Sequence, residues 1–586
     1  MAYDNLTTSG INYLVNSFIQ NEYEKKITPL QTRMTKYNNL SSVYTTLQQK
    51  IDSFKTKLSS IKSSGSVSPF AAKAAAASNT SFLTASASST ASKGNFSIRV
   101  NQLAKSDLLL SLDKTSSANS SITSPGDYSF TIKTGDGNGG QFTSNVTVTL
   151  TSSDFTSGAI SNEDLAEKIR DAINSDKAVV TSNSLSGSTS SSGSFKIDLG
   201  GTETTIDYAA GSYEEIIDSI VSQLESVSGI TAEKVVNGSN VSLKLTVTDS
   251  TKYITLKEDT ASLLSELGLS VEQEKGAAGL VTATAFSPIE GLTQISLTSE
   301  NTGSGFKIEQ ISDTSGNILA AFGLNLGTNR TAFVQSESGS DTAGYRFNED
   351  DLNSILIFNG LEIKRDSNII SDLVNGVTIS LKSVMADEDV DVNVTISNDV
   401  TSIKTKIEEF ITSFNDLYSY LKSNSKTSGT TRGVLLGNSS ASALISMLST
   451  AAYSPVTGIS SSEINTLSEL GISFNTESGL SISNNTQLTN AIEDQAEQIE
   501  ALFDSENGIA NSIYDRITPY TGLNGYIAKL KSTLTNNIDY LKDSISSAET
   551  RIEKSADILR QSYYDLQLQL ASLLSASGVF DTDLFA

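Results

Sequence analysis

The sequence predicts an α+β multidomain fold: N- and C-terminal coiled-coil helices form a leg, and a β-rich, multi-module head is inserted between them. Three observations predict it. Apolar stripes with a period near 3.5 residues occupy both ends of the chain. The middle alternates β-branched and polar residues in short runs broken by Ser, Thr, Gly and Asn. The length of 586 residues exceeds what one hydrophobic core organises.

The N-terminal stripe runs through Tyr23, Ile27, Leu30, Met34, Tyr37, Tyr44, Leu47, Ile51, Phe54, Leu58 and Ile61. Its steps mostly alternate four and three, which keeps one face toward a partner over several heptads. Pro29 marks a kink or a helix start, because it lacks the N–H that a continuing helix needs. A shorter amphipathic piece, Ile11, Leu14, Val15 and Phe18, precedes it. The C-terminal stripe is longer, from Ile527 through Leu534, Leu541, Ile552, Leu559 and Leu566 to Leu573. Such a helix reaches about 70 Å. Gly522 and Gly525 punctuate its start and Gly578 its end.

The expected organisation is an N-terminal helical leg at 1–65, a linker at 66–81, a β-rich head at 82–397, a helical and mixed leg domain at 398–510, and a C-terminal helical coiled coil at 511–586. The linker reading rests on Ser/Ala richness and Pro69. In the head, Phe96, Ile98 and Val100 alternate as a strand. Asn359-Gly360 suits a two-residue type I′ turn that would put Leu356, Phe358, Leu361 and Ile363 on one face. Val377, Ile379 and Leu381 alternate on one side of an acidic connection, and Val390, Val392, Val394 and Ile396 on the other.

Residues 116–340 are expected to be inserted repeat modules. Leu165, Ile169 and Ile173 mark one short helix, and Ile216, Ile220 and Leu224 mark another at the same spacing. A second unit recurs as Leu264-x-x-Leu267-Gly268-Leu269 and Leu319-x-x-Phe322-Gly323-Leu324, with Leu467-x-x-Leu470-Gly471-Ile472 as a variant. Each predicts a short helix ended by a left-handed Gly, with the next apolar residue folding back. After the head, Val400, Ile403, Ile407, Phe410, Ile411, Phe414, Leu417 and Leu421 predict a further amphipathic helix, closed by a polar loop from Ser423 to Gly433.

Composition excludes whole classes of chemistry. The chain has no Cys, no His and no Trp, so thiolate nucleophiles, disulfides, zinc clusters and imidazole bases are absent. A net charge of −25 repels phosphate backbones and anionic lipid, so neither nucleic acid nor a membrane surface is an expected partner. No apolar run approaches a membrane span, and Met1 to Gly10 has no basic residue ahead of an apolar stretch, so a cleavable secretory signal is not expected. The loop Thr134 to Gly140 superficially resembles a phosphate cradle, but it lacks the following Lys-Ser/Thr and a helix, which favours a tight β-turn. Asp387, Glu388 and Asp389 are consecutive and do not converge as calcium ligands do, which favours a solvated connection. The sequence therefore nominates no catalytic, cofactor-binding or metal-binding residue, no cofactor and no enzymatic activity.

Four stretches resemble the bacterial flagellar filament-capping family, the flagellar hook-associated protein 2 family. They are Gly94 to Ala104 (GNFSIRVNQLA); Phe358-Asn359-Gly360-Leu361 with Ser367-Asn368 and Asn375 to Ile379; Asp399 through Phe414-Asn415-Asp416-Leu417; and Leu559-Arg560-Gln561 with Tyr563 and Leu573-Leu574. The resemblance brackets nearly the whole chain and is weakest over 116–340. It implies a non-enzymatic structural assembly protein: a homo-oligomeric ring at the filament tip that promotes flagellin polymerisation and prevents flagellin loss, with adhesion left open. It also implies flagellin, the hook–filament junction proteins and a type III export chaperone as partners, and a secreted location at the tip of the flagellum. Two alternatives stay open: another axial flagellar protein, such as a junction protein or flagellin, and a Ser/Thr-rich surface adhesin.

Overall fold

A computed structural model of the protein describes residues 7–62, 67–260, 263–269, 273–330, 342–428 and 431–576. The chain forms two compact units. One is made from residues up to 74 with 88–90 and everything from 397 onward; the other is made from 75–87 and 91–396.

Helix α1 (Thr8–Lys26) begins where the Thr7 hydroxyl accepts the Gly10 N–H at 3.1 Å. Helix α2 (Thr28–Ile61) follows after a break at Ile27, with Pro29 in its first turn. Proline has no N–H to give Lys25, so the helix restarts there, as the sequence predicted. Tyr44, Leu47, Ile51, Phe54, Leu58 and Ile61 are buried, whereas Leu30, Met34 and Tyr37 are only half-buried.

The segment expected to be a linker is structured where it is described. The Ser68 hydroxyl caps a short turn at Pro69–Ala71, Phe70 is buried, and Lys73–Ala77 is a strand. Small residues read as linker in sequence, yet they also suit a sheet edge. Ser63 to Ser66 lie outside the described residues.

The β-rich unit contains three cores. In the first, a five-stranded sheet runs in the order 73–77, 392–398, 94–102, 354–358, 361–365, and a three-stranded sheet in the order 83–87, 377–381, 369–374. They enclose Leu83, Phe96, Ile98, Val100, Leu356, Ile379 and Val394. Asn359 (φ 47°) and Gly360 (φ 86°) form the expected hairpin turn, pairing Phe358 with Leu361 and Leu356 with Ile363. Val390 lies outside the strand Val392–Asn398 and is exposed, which corrects its assignment to that alternation.

In the second core, the hairpin Gly126–Gly135/Gln141–Leu150 packs Phe130, Ile132, Val146 and Val148 against Leu165, Ile169 and Ile173 of α3 (Asn162–Ser175). In the third, Phe195, Ile197, Leu243 and Leu245 meet Ile216, Ile220 and Leu224 of α4 (Tyr213–Leu224) and the short α5 (Leu263–Leu267). The third core is built wholly from residues 178–269, whereas the second draws on Leu109 and Tyr345, beyond the expected 116–340 limits. One seven-stranded sheet runs through both, in the order 202–208, 193–199, 253–258, 273–275, 141–150, 126–135, 308–315. Where the chain crosses between them, Asp176 accepts hydrogen bonds from the Ser144 hydroxyl (2.6 Å) and the Ala277 N–H (2.7 Å).

The other unit resumes with α6 (Val400–Ser425), α7 (Ser439–Tyr453), α8 (Asn485–Asp504), α9 (Ile509–Ile517) and α10 (Tyr526–Ala576). The predicted apolar stripe of α6 is buried from Ile403 to Leu421, and the helix extends three residues into the expected polar loop. Its aromatic rings interlock with α2 and α8. Phe54 lies 5.9 Å from Phe410, Phe410 lies 5.3 Å from Phe503 edge-on, and Phe503 stacks on Phe70 at 5.4 Å. Half of α2, α6 to α9 and the first turns of α10 thus share one core, so the expected separation into leg, mixed domain and coiled coil is not a separation of cores.

All three Gly-terminated units end on a left-handed glycine, and the first two also fold back as expected. Gly268, Gly323 and Gly471 have φ of 65°, 70° and 73°. Leu269 N–H returns to Leu264 O, and Leu324 N–H to Leu319 O, each at 2.9 Å. Gly578 lies outside the described residues. Among the described residues, no helix is long and apolar enough to cross a membrane.

Candidate functional site: the paired terminal helices

Long stripes cannot stay in water, and the two ends of the chain bury theirs on each other. Near the start of α1, Ile11 and Val15 pack on Ala556, with Phe18, Leu559 and Tyr563 alongside. Farther on, Ile27 meets Ala548 and Ile552. Farther still, Tyr44, Leu47, Ile51 and Phe54 share a core with Ile527 and Leu534. Rising numbers on one side meet falling numbers on the other, so the pairing is antiparallel.

Among the described residues, polar contacts on this seam are few. The Tyr23 hydroxyl donates to Glu549 at 2.9 Å, and the neighbouring carboxylate raises the phenol above its ordinary range. Lys55 reaches the Thr521 hydroxyl at 3.5 Å. Apolar burial rather than ion pairing therefore sets the register. The seam fades at its C-terminal end: Leu566 and Leu573, which the stripe predicted as buried, are exposed, as is Leu568. Ile11, near the start of α1, already pairs with Ala556, so those leucines lie past the described part of the partner helix.

The segments weighed as chemical sites are closed by their own chain. In Thr134–Gly140, the Asp136 carboxylate accepts the N–H groups of Asn138 and Gly140, each at 2.8 Å. A negative charge thus occupies the donors that a phosphate would need. At Asp387–Asp389, the Arg99 guanidinium donates to the carbonyls of Asp387 (2.9 Å) and Asp389 (2.8 Å) and to the Asp391 carboxylate (3.1 Å). A fixed cation there disfavours a second one. Sequence reading missed this clasp, because its acceptors are mostly backbone carbonyls nearly 290 positions away. It also missed buried Asp107, held by Arg330 (Nη2 to Oδ1, 2.9 Å), whose guanidinium lies 4.5 Å over the Tyr345 ring. Burial pushes the Tyr345 phenol up to about 12. Among the described residues, no three acidic side chains gather to hold a metal ion.

The comparisons fall on the same elements. The family model described as flagellar hook-associated protein 2 N-terminus matches residues 9–107, and the one described as its C-terminus matches 352–574. Between them they cover more than half of the chain, including α1, α2, the NG hairpin and α6 to α10. The A-type flagellar hook-associated protein 2 of Pseudomonas aeruginosa is 23% identical over 349 residues, 57% of this chain and 69% of that protein. The B-type protein of Pseudomonas aeruginosa PAO1 is 22% identical over 366 residues, 60% of this chain and 74% of that one. Among solved structures, the D1-D2-D3 domains of the Escherichia coli flagellar cap protein FliD cover 84% of this chain and 99% of their own at 18% identity and a TM-score of 0.48. With both terminal family models matched in chain order around the β-rich middle, the chain belongs to the flagellar hook-associated protein 2 family.

Proposed function

We propose that copies of this chain form a ring at the tip of the growing filament, promote flagellin polymerisation there and keep flagellin from being lost. The observation that supports this most is the antiparallel terminal helix pair, which the two family matches bracket. A chain of net charge −25 resists self-association unless apolar surface overcomes the repulsion, and a helical unit built on long stripes is the natural place for it. The role is structural and not enzymatic. Flagellin is the partner at the tip and the hook–filament junction proteins are the partners at first docking. An export chaperone holds the chain before it leaves through the flagellar type III route to its place outside the cell. Electron microscopy of a deletion strain tests the reading. The expected outcome is filaments without a tip structure and flagellin accumulating in the medium, both reversed by restoring the chain. Normal, capped filaments in the deletion strain would overturn it.

A further inference from the structure

Two surfaces of the helical unit lie in charge-free stretches of this acidic chain. The first is a knob on the turn Thr521–Gly525, between a 3-10 turn at Thr518–Tyr520 and α10. Leu523 at its tip is 97% exposed, and Gly522 holds the turn at φ 82°. The rings of Tyr520 and Tyr526 flank it, 6.0 Å apart. No charged residue occurs between Arg516 and Lys529.

The second is a groove of about 210 Å³ between α7 and α9. Met447, Ala451, Val456 and Ile509 form its apolar part, and Thr450, Ser454, Thr457, Ser512, Asn507 and Arg516 give it a polar rim. It carries no carboxylate, and the α7 side of it belongs to a run without any charge from Gly433 to Ser462.

We infer that Leu523 of one copy seats in the α7–α9 groove of the next copy. This rests on the ring reading above and names a contact that would build the ring. A fully exposed leucine between two tyrosines is the kind of anchor that fills a partner's pocket, and the groove has room for it. Charge selects these surfaces. Elsewhere two copies bring carboxylates together, whereas here a turn with no charged residue of its own meets a groove lined by no carboxylate. Leu523 stands 97% exposed on its own chain, so it does not fill the groove of its own copy. Knob and groove are different surfaces, so the contact is head-to-tail, and it closes into a ring when the rotation per copy divides a full turn.

The chain has no cysteine, which makes the test direct. A full-length Leu523→Cys/Thr457→Cys variant is expected to give, on mild oxidation, a ladder of disulfide-linked multimers that a reductant collapses. A bridge within one chain would leave the mass of a single copy, so the ladder itself reports contact between copies. Leu523→Asp is expected to lose the wild-type oligomer with an unchanged circular dichroism spectrum. Mixed with Ala451→Trp, which keeps the knob and blocks the groove, it should yield pairs and nothing larger. If wild type is oligomeric but the double-cysteine variant gives no ladder, or Leu523→Asp keeps the wild-type mass, this contact is wrong and the ring reading stands. If wild type is monomeric at every concentration, both fall.

Discussion

Burial raises the Asp176 carboxyl above its ordinary range, while bonds from Ser144, Ala277 and Lys177 pull the other way. An acid whose folded pKa exceeds its unfolded one adds stability below the unfolded value, about 4. That stability is lost as pH rises through the folded pKa. Asparagine does not titrate. The deficit of Asp176→Asn relative to wild type should therefore be largest below pH 4 and shrink toward neutrality, as read from urea unfolding of the β-rich unit at both pH values. A deficit that grows with pH would contradict the burial account. Gly471 illustrates what sequence shows at this scale. The Leu-x-x-Leu-Gly-Ile spacing announced a left-handed cap, and a Cβ there would come within 2.5 Å of the Asn484 carbonyl oxygen. The Arg99 clasp and the Asp107–Arg330 pair gave no such signal. Each joins residues more than 200 positions apart, and no local spacing encodes that.

Helices were the most legible elements, because a 3.5- or 3.6-residue period survives any tertiary context. The strand at 73–77 was not, since alanines carry no alternation to read. Seam positions should be the most sensitive to charge. Leu47 and Leu541 are 3% and 2% exposed, and an aspartate at either place would bury an unpaired carboxylate, costing on the order of 3 kcal/mol or more. The far-ultraviolet helical signal should fall and melt early while the β-rich unit keeps its own transition; full helicity in both variants would refute the paired-helix account. In the β-rich unit, the self-contained core of 178–269 should survive limited proteolysis as a fragment cut near its two crossings, close to Asp176 and Gly276. Even degradation across 107–345 would show that the shared seven-stranded sheet makes the two cores one cooperative body.

At the scale of the molecule, sequence showed helix at both ends and strand between, but not how the cores divide. The aromatic cluster that merges α2, α6 and α8 depends on rings from four separate stretches, Phe54, Phe70, Phe410 and Phe503. The antiparallel seam has a consequence in time. Tyr23 and Glu549 touch across 526 positions, so the first helix made must wait for the last before it can settle. Loop closure over such a span is slow, and chains emerge N-terminus first. The β-rich unit, held by nearer contacts, completes earlier and shortens the loop that remains. In pulse-labelled refolding, the amides of α1 should therefore gain protection last, after those of the strands at 126–150. Until then the chain is a finished middle trailing two unclosed ends, and cleavage of α10 ahead of Ala548 would cut away the stretch on which α1 packs.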